Sequence, residues 1–362
     1  MIFKEKLANI KIFFKILIIF FIFFNILLFS KSFANSFKIN EIEVSEDFNL
    51  DFNKEKVFDK AFERAFYQLI STIAPSKDIN KIEKTNLSTV KSLIDSFNVS
   101  DEQFIENKYF AKFNVNFNKK NIYKYFEKQN IFPSIPKKIN LLLFPIFIDT
   151  KKNEITYFRD NPIYIDWQKN KKKHHLLNYI LPTEDIEERE IFNNNTDAIE
   201  DYNFDHVAKK YDLDDYIIVI IYQNIAEINV YSKLKLNNSY KVFNKNYKDI
   251  DLKNENSTSK LIFDLKDVYE DEWKKLNIIN TSIQLSLTVF LASKDFRKIQ
   301  LFENTLKDLD LVAEFAVVSF NNENIFYKVV YNGSPNKFFK EVESKGLNIE
   351  KNNQIWEIQW KI

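Results

Sequence analysis

Apolar and polar positions follow two distinct periods along this chain. From Asn53 to Ala74, Val57, Phe58, Ala61, Phe62, Ala65, Phe66, Leu69 and Ile70 recur at three- and four-residue spacing, the mark of one helical face. Pro75 ends that helix. A short strand is predicted before it, over 36–44, and a second helix after it, over 85–97, with Leu87, Val90, Leu93 and Ile94 facing inward. In 102–118 the period drops to two: Tyr109, Ala111, Phe113, Val115 and Phe117 alternate with polar neighbours, as in a half-buried strand. A helix over 119–130 closes this first module, and IFPSIPKK, with Pro133 and Pro136, reads as a linker.

The pattern then changes to unbroken apolar runs. INLLLFPIFID (139–149) and the end of FDHVAKKYDLDDYIIVIIYQ (204–223) suit strands buried on both faces. Between them, roughly 150–195, the chain is polar and reads as irregular. Residues 226–236 and 239–250 predict an antiparallel hairpin. A long helix follows, with Leu261, Leu265, Val268, Tyr269, Trp273 and Leu276 on its apolar face.

The last segment reads strand by strand. A strand over 282–292 precedes a helix over 294–309 capped by Ser293; strands over 311–320 and 325–331 form a hairpin; a second helix and one final strand (347–360) complete βαββαβ, the ferredoxin-like order. In the stretch YNGSPNKFFKEVESKG, Ser334 caps the second helix, Pro335 occupies its first turn and Gly346 stands just past its end. The predicted fold class is therefore α+β, with modules over 35–132, 138–278 and 281–362, the middle one α/β.

Composition narrows the chemistry. Apolar residues make up 45% of the 362, so burial is not limiting, and a chain this long holds two or three domains. Only two residues are glycine, which excludes the Gly-rich loops that cradle phosphates. Cysteine is absent, so disulfides, thiolate nucleophiles, Cys-based zinc sites and a lipidated Cys anchor are excluded together. With 52 basic and 51 acidic residues, nothing in the charge balance attracts nucleic acid.

The N-terminus changes the picture more. Lys4, Lys6, Lys11 and Lys15 precede an apolar run from Ile16 to Phe29, and Ser32 and Ala34 supply a small-x-small site. This is the pattern of a secretory signal peptide over 1–34, cleaved after Ala34, and the run is short of the roughly 20 residues that span a bilayer. Cleavage leaves 47 basic and 50 acidic residues, and the expected location is the periplasm. The alternative is an uncleaved segment that tethers the protein to the inner membrane, its sole membrane contact.

Candidate chemistry concentrates in LPTEDIEERE (181–190), where Glu184, Asp185, Glu187, Glu188 and Glu190 fall close to Pro182 and follow Trp167. One reading is an acid–base pair or a divalent-cation site; the other is an acidic helix start capped by Thr183. Trp167, Pro182, Glu184 and Asp185 form the candidate surface. In NKKKHH, His174 and His175 adjoin Lys171–Lys173, but His206 is the one further imidazole and lies on a predicted helix, so a solvated loop is expected in place of zinc. No G-x-S-x-G or H-E-x-x-H motif occurs. No catalytic residue, metal or small-molecule cofactor is expected.

The helix AFERAFYQLI, the run KYFAKFNVNFNKKNIYKYFEKQNI before LLLFPIFID, the stretches NPIYIDW and LPTEDIEE, and the C-terminal LASKDFRKIQLFENTL and VVYNGSPNKFFKEVESKGLNI carry a resemblance over nearly the whole mature chain. It resembles the proteobacterial family termed domain of unknown function 2066, departing at Ile163, where that family has Trp, and at Thr183, where Gly is usual. The middle module is similar to the N-terminal domain of the periplasmic protein TolB. Such domains imply protein binding in the cell envelope, and the expected role is non-catalytic: contacts with envelope proteins in envelope assembly or maintenance. A periplasmic hydrolase or cation-binding enzyme using the 184–190 carboxylates is the alternative.

Overall fold

The computed structural model describes residues 37–360, apart from 153, 170–171, 173, 195–197, 225–226, 280–283, 293–294 and 353–354; the 1–34 segment and Ser293 lie outside the described residues. The first module begins with β1 (Lys38–Asp47), α1 (Lys54–Ile73), α2 (Ser76–Ile82) and α3 (Leu87–Leu93). β2 (Ile94–Ile105), β3 (Lys108–Phe117) and α4 (Lys119–Lys128) complete it. The sheet runs β1-β3-β2, and α1 buries Val57, Ala61, Ala65, Phe66, Leu69 and Ile70. Asn53 caps α1 by accepting the Glu55 amide.

The helix predicted over 85–97 stops at Leu93. Ile94 and its successors instead pair along β3, so sheet pairing overrides the helical spacing of the apolar residues. The hairpin turns on Glu106 and Asn107, both in the left-handed region at φ 51° and 59°. Such two-residue turns normally use glycine. This chain uses Asn and Asp: Asn107, Asn130, Asp212, Asn237, Asn238 and Asp249 all have positive φ.

The middle module contains β4 (Ile139–Asp149), β5 (Glu154–Thr156), α5 (Pro162–Lys169), β6 (Leu177–Ile180), α6 (Ile186–Asn194) and α7 (Asp205–Lys210). It continues through β7 (Tyr216–Gln223), β8 (Glu227–Leu236), β9 (Ser239–Lys248) and α8 (Glu255–Leu276). The order is β5-β4-β7-β8-β9, with β6 also on β4. β4 runs parallel to β7 and β6, and the expected β8–β9 hairpin continues the sheet. Leu141, Leu143, Ile217 and Val219 face α5 and α8; Leu142, Phe144, Ile218 and Ile220 face Phe192 of α6 and Val207 of α7. Helices therefore cover both faces.

Pro145 sits in this central strand without breaking it. Leu142 donates its amide toward β7, to Asp215, and Ile139 donates the other way, to Leu176. Odd-numbered amides thus face β6 and β5. Pro145 directs its missing N–H into the gap between β6, paired to 139–142, and β5, paired to 147–149. The 150–195 stretch is not irregular: it holds β5, α5, β6 and α6, and strands of three and four residues are too short to show a period.

The last module comprises β10 (Leu285–Ala292), α9 (Phe296–Asp308), β11 (Val312–Phe320), β12 (Asn324–Tyr331), α10 (Pro335–Ser344), β13 (Leu347–Asn352) and β14 (Ile355–Trp360), in the order β11-β12-β10-β14-β13. The final segment is two strands where one was expected, and β14 takes the place beside β10, parallel to it. Asp295, accepting the Arg297 amide, caps α9. Ser334 caps α10 and Pro335 starts it. Gly346 has φ +84°, and a Cβ on Gly333 would lie 2.7 Å from Cε1 of Tyr331.

Residues 36–362 form one compact unit. The first and last modules share a single hydrophobic core running from Phe37 to Ile358, and Tyr123 of α4 donates to Asp310 O at 3.0 Å. The Pro133–Lys137 stretch, read as a linker, is packed: Ile279 donates to Pro133 O, Ile135 to Asn277 O, and Ser134 is buried. Among the described residues no helix is long and apolar enough to cross a membrane.

Candidate functional site

The acidic segment begins α6. Asp185, and not Thr183, caps the helix: its Oδ1 accepts the Glu188 amide at 3.2 Å. The Thr183 amide goes to Tyr211 Oη. Glu184 accepts from Arg189 at 2.6 Å, and the same guanidinium reaches Asp160 at 3.2 Å. Lys210, at the end of α7, lies 3.0 Å from both Asp185 and Glu188, and these carboxylates hold its pKa above the usual lysine range. Lys210 thus ties Asp185 and Glu188 to α7, and Arg189 ties Glu184 to Asp160. Among the described residues no group of three or more His, Asp or Glu could hold a metal ion.

Trp167 stands on the other face of the sheet. It is buried in α5 with its ring 5.4 Å from Tyr179 and stacked 6.3 Å from Tyr269 of α8, while α6 packs Phe192 against the opposite face. Pro182 is buried, and its carbonyl accepts the Tyr164 hydroxyl at 2.6 Å. The four nominated residues therefore divide between a core tryptophan, a helix cap and the loop between β6 and α6.

His174 and His175 are half-buried, where a solvated loop was expected. Burial pushes the His174 pKa down to about 4, helped by Lys172 and Lys274. Burial first, then His174 and Lys266, pushes His175 down to about 3. Both rings are neutral at physiological pH. His206, on α7, instead meets Asn203 and Tyr202, which precede that helix.

Helix α8 carries an unforeseen row of buried charge, Lys266, Glu270 and Lys274, spaced four residues apart on one side. Lys266 donates to Trp167 O at 2.8 Å, at the end of α5. Glu270 accepts the amides of Leu176 and Leu177, the latter at 2.9 Å. Lys274 donates to Ser71 O and Ala74 O at 2.7 and 2.9 Å, at the end of α1. The two lysines occupy helix C-termini, where the macrodipole favours cations. Burial pushes the Glu270 pKa up and the Lys274 pKa down. The K-x-x-x-E-x-x-x-K spacing was visible, but it reads equally as a solvated salt ladder.

An apolar surface feature lies at the β2–β3 turn. The rings of Phe48 and Phe104 lie 5.0 Å apart and are 50% and 59% exposed. Leu50 and Ile105 stand exposed beside them in sequence, and Phe48 donates its amide to Asn107 O of the turn. β2 is one of the two outer strands of its sheet, with β1 the other. Against known proteins, the chain matches no family model and no curated protein.

Proposed function

We propose that this chain is a non-catalytic protein of the bacterial cell envelope, exported to the periplasm, that acts by binding other envelope proteins. The carrying observation is the half-exposed Phe48–Phe104 pair beside the open β2 strand. Contiguous exposed aromatic surface marks a contact site more often than a solvent-facing one. An open strand edge adds main-chain hydrogen bonds for a partner segment. Glu184, Asp185 and Glu188 do not favour hydrolysis or cation binding, because Arg189 and Lys210 already engage them.

The resemblance to domain of unknown function 2066 and the TolB-like reading of the middle module, with its adjacent parallel strands β4 and β7, belong to the same proposal. So does a ferredoxin-like plan for the last module, extended by one strand. Purified F48S and F104S variants test the role. They retain the unfolding midpoint of the parent and lose its recovery of envelope proteins. Recovery unchanged in both variants would remove the patch from the account. N-terminal mass spectrometry of the exported protein separates the two locations: a peptide starting at Asn35 supports a cleaved periplasmic form, and an intact Met1 terminus supports the tether.

A further inference from the structure

A cavity of about 330 Å³ lies between α5, β6 and α8, lined by Lys138, Trp167, His175, Tyr179 and Lys266 among others. A volume of this size holds a small ligand. Three of these side chains keep a buried polar atom without a hydrogen-bond partner among the described residues: Trp167 Nε1, His175 Nε2 and the Tyr179 hydroxyl. Buried polar groups left unpaired are costly, and native structures seldom keep several together without a water or ligand to meet them.

The charged residues of the lining are basic, while Glu270 and Asp267 of α8 lie near enough to act on Tyr179. The ten lining residues include two lysines and no acid. Lys266 is buried, 5.3 Å from the Trp167 ring centroid and 5.6 Å from that of Tyr179. Glu270, one turn along α8, directs its carboxylate to the amides of Leu176 and Leu177. The charged neighbours that hold His175 neutral are Lys266, Lys172 and Lys274, all cationic. Orphaned donors and two lysines therefore line the space where a small group could enter.

We propose that this cavity binds a carboxylate group, carried by a small organic acid or by a peptide C-terminus, with Lys266 supplying the charge and Trp167 and Tyr179 the donated hydrogen bonds. A carboxylate has two oxygens for the two orphaned donors, and its negative charge suits a lining whose charged side chains are Lys138 and Lys266. The inference stands apart from the aromatic patch and requires no chemistry at the acidic segment.

Indole N–H resonances of the intact ¹⁵N-labelled protein test it, with Trp167 identified among the four tryptophans by a W167F variant. The probes are acetate, acetyl-dialanine, its C-terminal amide and inorganic phosphate. The Trp167 signal is expected to shift saturably with acetate and with acetyl-dialanine, and to ignore the amide. Binding of the peptide at least tenfold tighter than acetate assigns a peptide terminus; similar affinities assign a small acid. Y179F weakens either by roughly tenfold or more, the worth of one hydrogen bond to a charged group, without lowering the unfolding midpoint. An unmoved Trp167 signal with both carboxylates, an amide as effective as the acid, or a response to phosphate alone overturns the proposal.

Discussion

Lys274 donates a hydrogen bond of 2.9 Å to the carbonyl of Ala74, 200 positions earlier in the chain. The same ammonium satisfies Ser71 O, so a buried lysine of the middle module caps the main helix of the first. Replacing it with methionine leaves two carbonyls at a helix end without their donor and removes a favourable charge near Glu270. K274M is expected to cost about 3 kcal/mol in urea unfolding. A loss under about 1 kcal/mol contradicts the capping role.

His174 and His175 make the fold sensitive to acid. Their folded pKa values of about 4 and about 3 lie below the ordinary value of 6.5, so the unfolded chain binds protons first as pH falls. Stability is full above about pH 6.5 and declines as pH drops from there, through about 4 for His174 and about 3 for His175. Each ring accounts for up to about 2 kcal/mol of that decline. Urea midpoints from pH 7 to pH 4.5 are expected to fall less steeply in H174N/H175N than in the parent; equal slopes would exclude these rings as the cause.

The glycine-free turns leave stability unclaimed. Asn238 stands at φ 60° and Asn107 at φ 59°, each the second residue of a two-residue hairpin turn. Asn-to-Gly at that position relieves left-handed strain. N107G and N238G are each expected to raise thermal stability by about 0.5 kcal/mol. Gly346, at φ +84°, gives the opposite result, and G346A is expected to cost about 1 kcal/mol.

Asp185 acts as a cap and an ion-pair partner. D185N keeps the acceptor for the Glu188 amide and is expected to stay within about 0.5 kcal/mol of the parent; D185A, which also loses the cap, is expected to cost about 1 kcal/mol. Envelope-protein binding is unchanged in both. A binding defect in D185N would return the acidic segment to the functional surface.

How far the fold was legible depends on element length and on what covers each element. α1, the apolar strands β4 and β7, the β8–β9 hairpin and the Ser334–Pro335–Gly346 bracket of α10 carry strong local patterns, and all are present. β5 and β6 escaped because three or four residues show no period. Ile94 has helical spacing from Val90 yet joins a strand, since β3 supplies its partner from afar. Trp167 was nominated for its neighbourhood in sequence with Asp185, but its contacts come from Tyr269 and Lys266 on α8. The buried Lys266, Glu270 and Lys274 row was hidden for the same reason: the groups it satisfies lie 93 to 203 residues away.

The protein-binding claim is tested most directly inside cells, by placing a photoreactive phenylalanine analogue at Phe104 and, as a control, at the exposed Lys253. The account predicts a discrete adduct with an envelope protein from position 104 that is absent from position 253 and lost when Phe48 is also replaced by serine. No adduct at 104, or equal adducts at both positions, would contradict it.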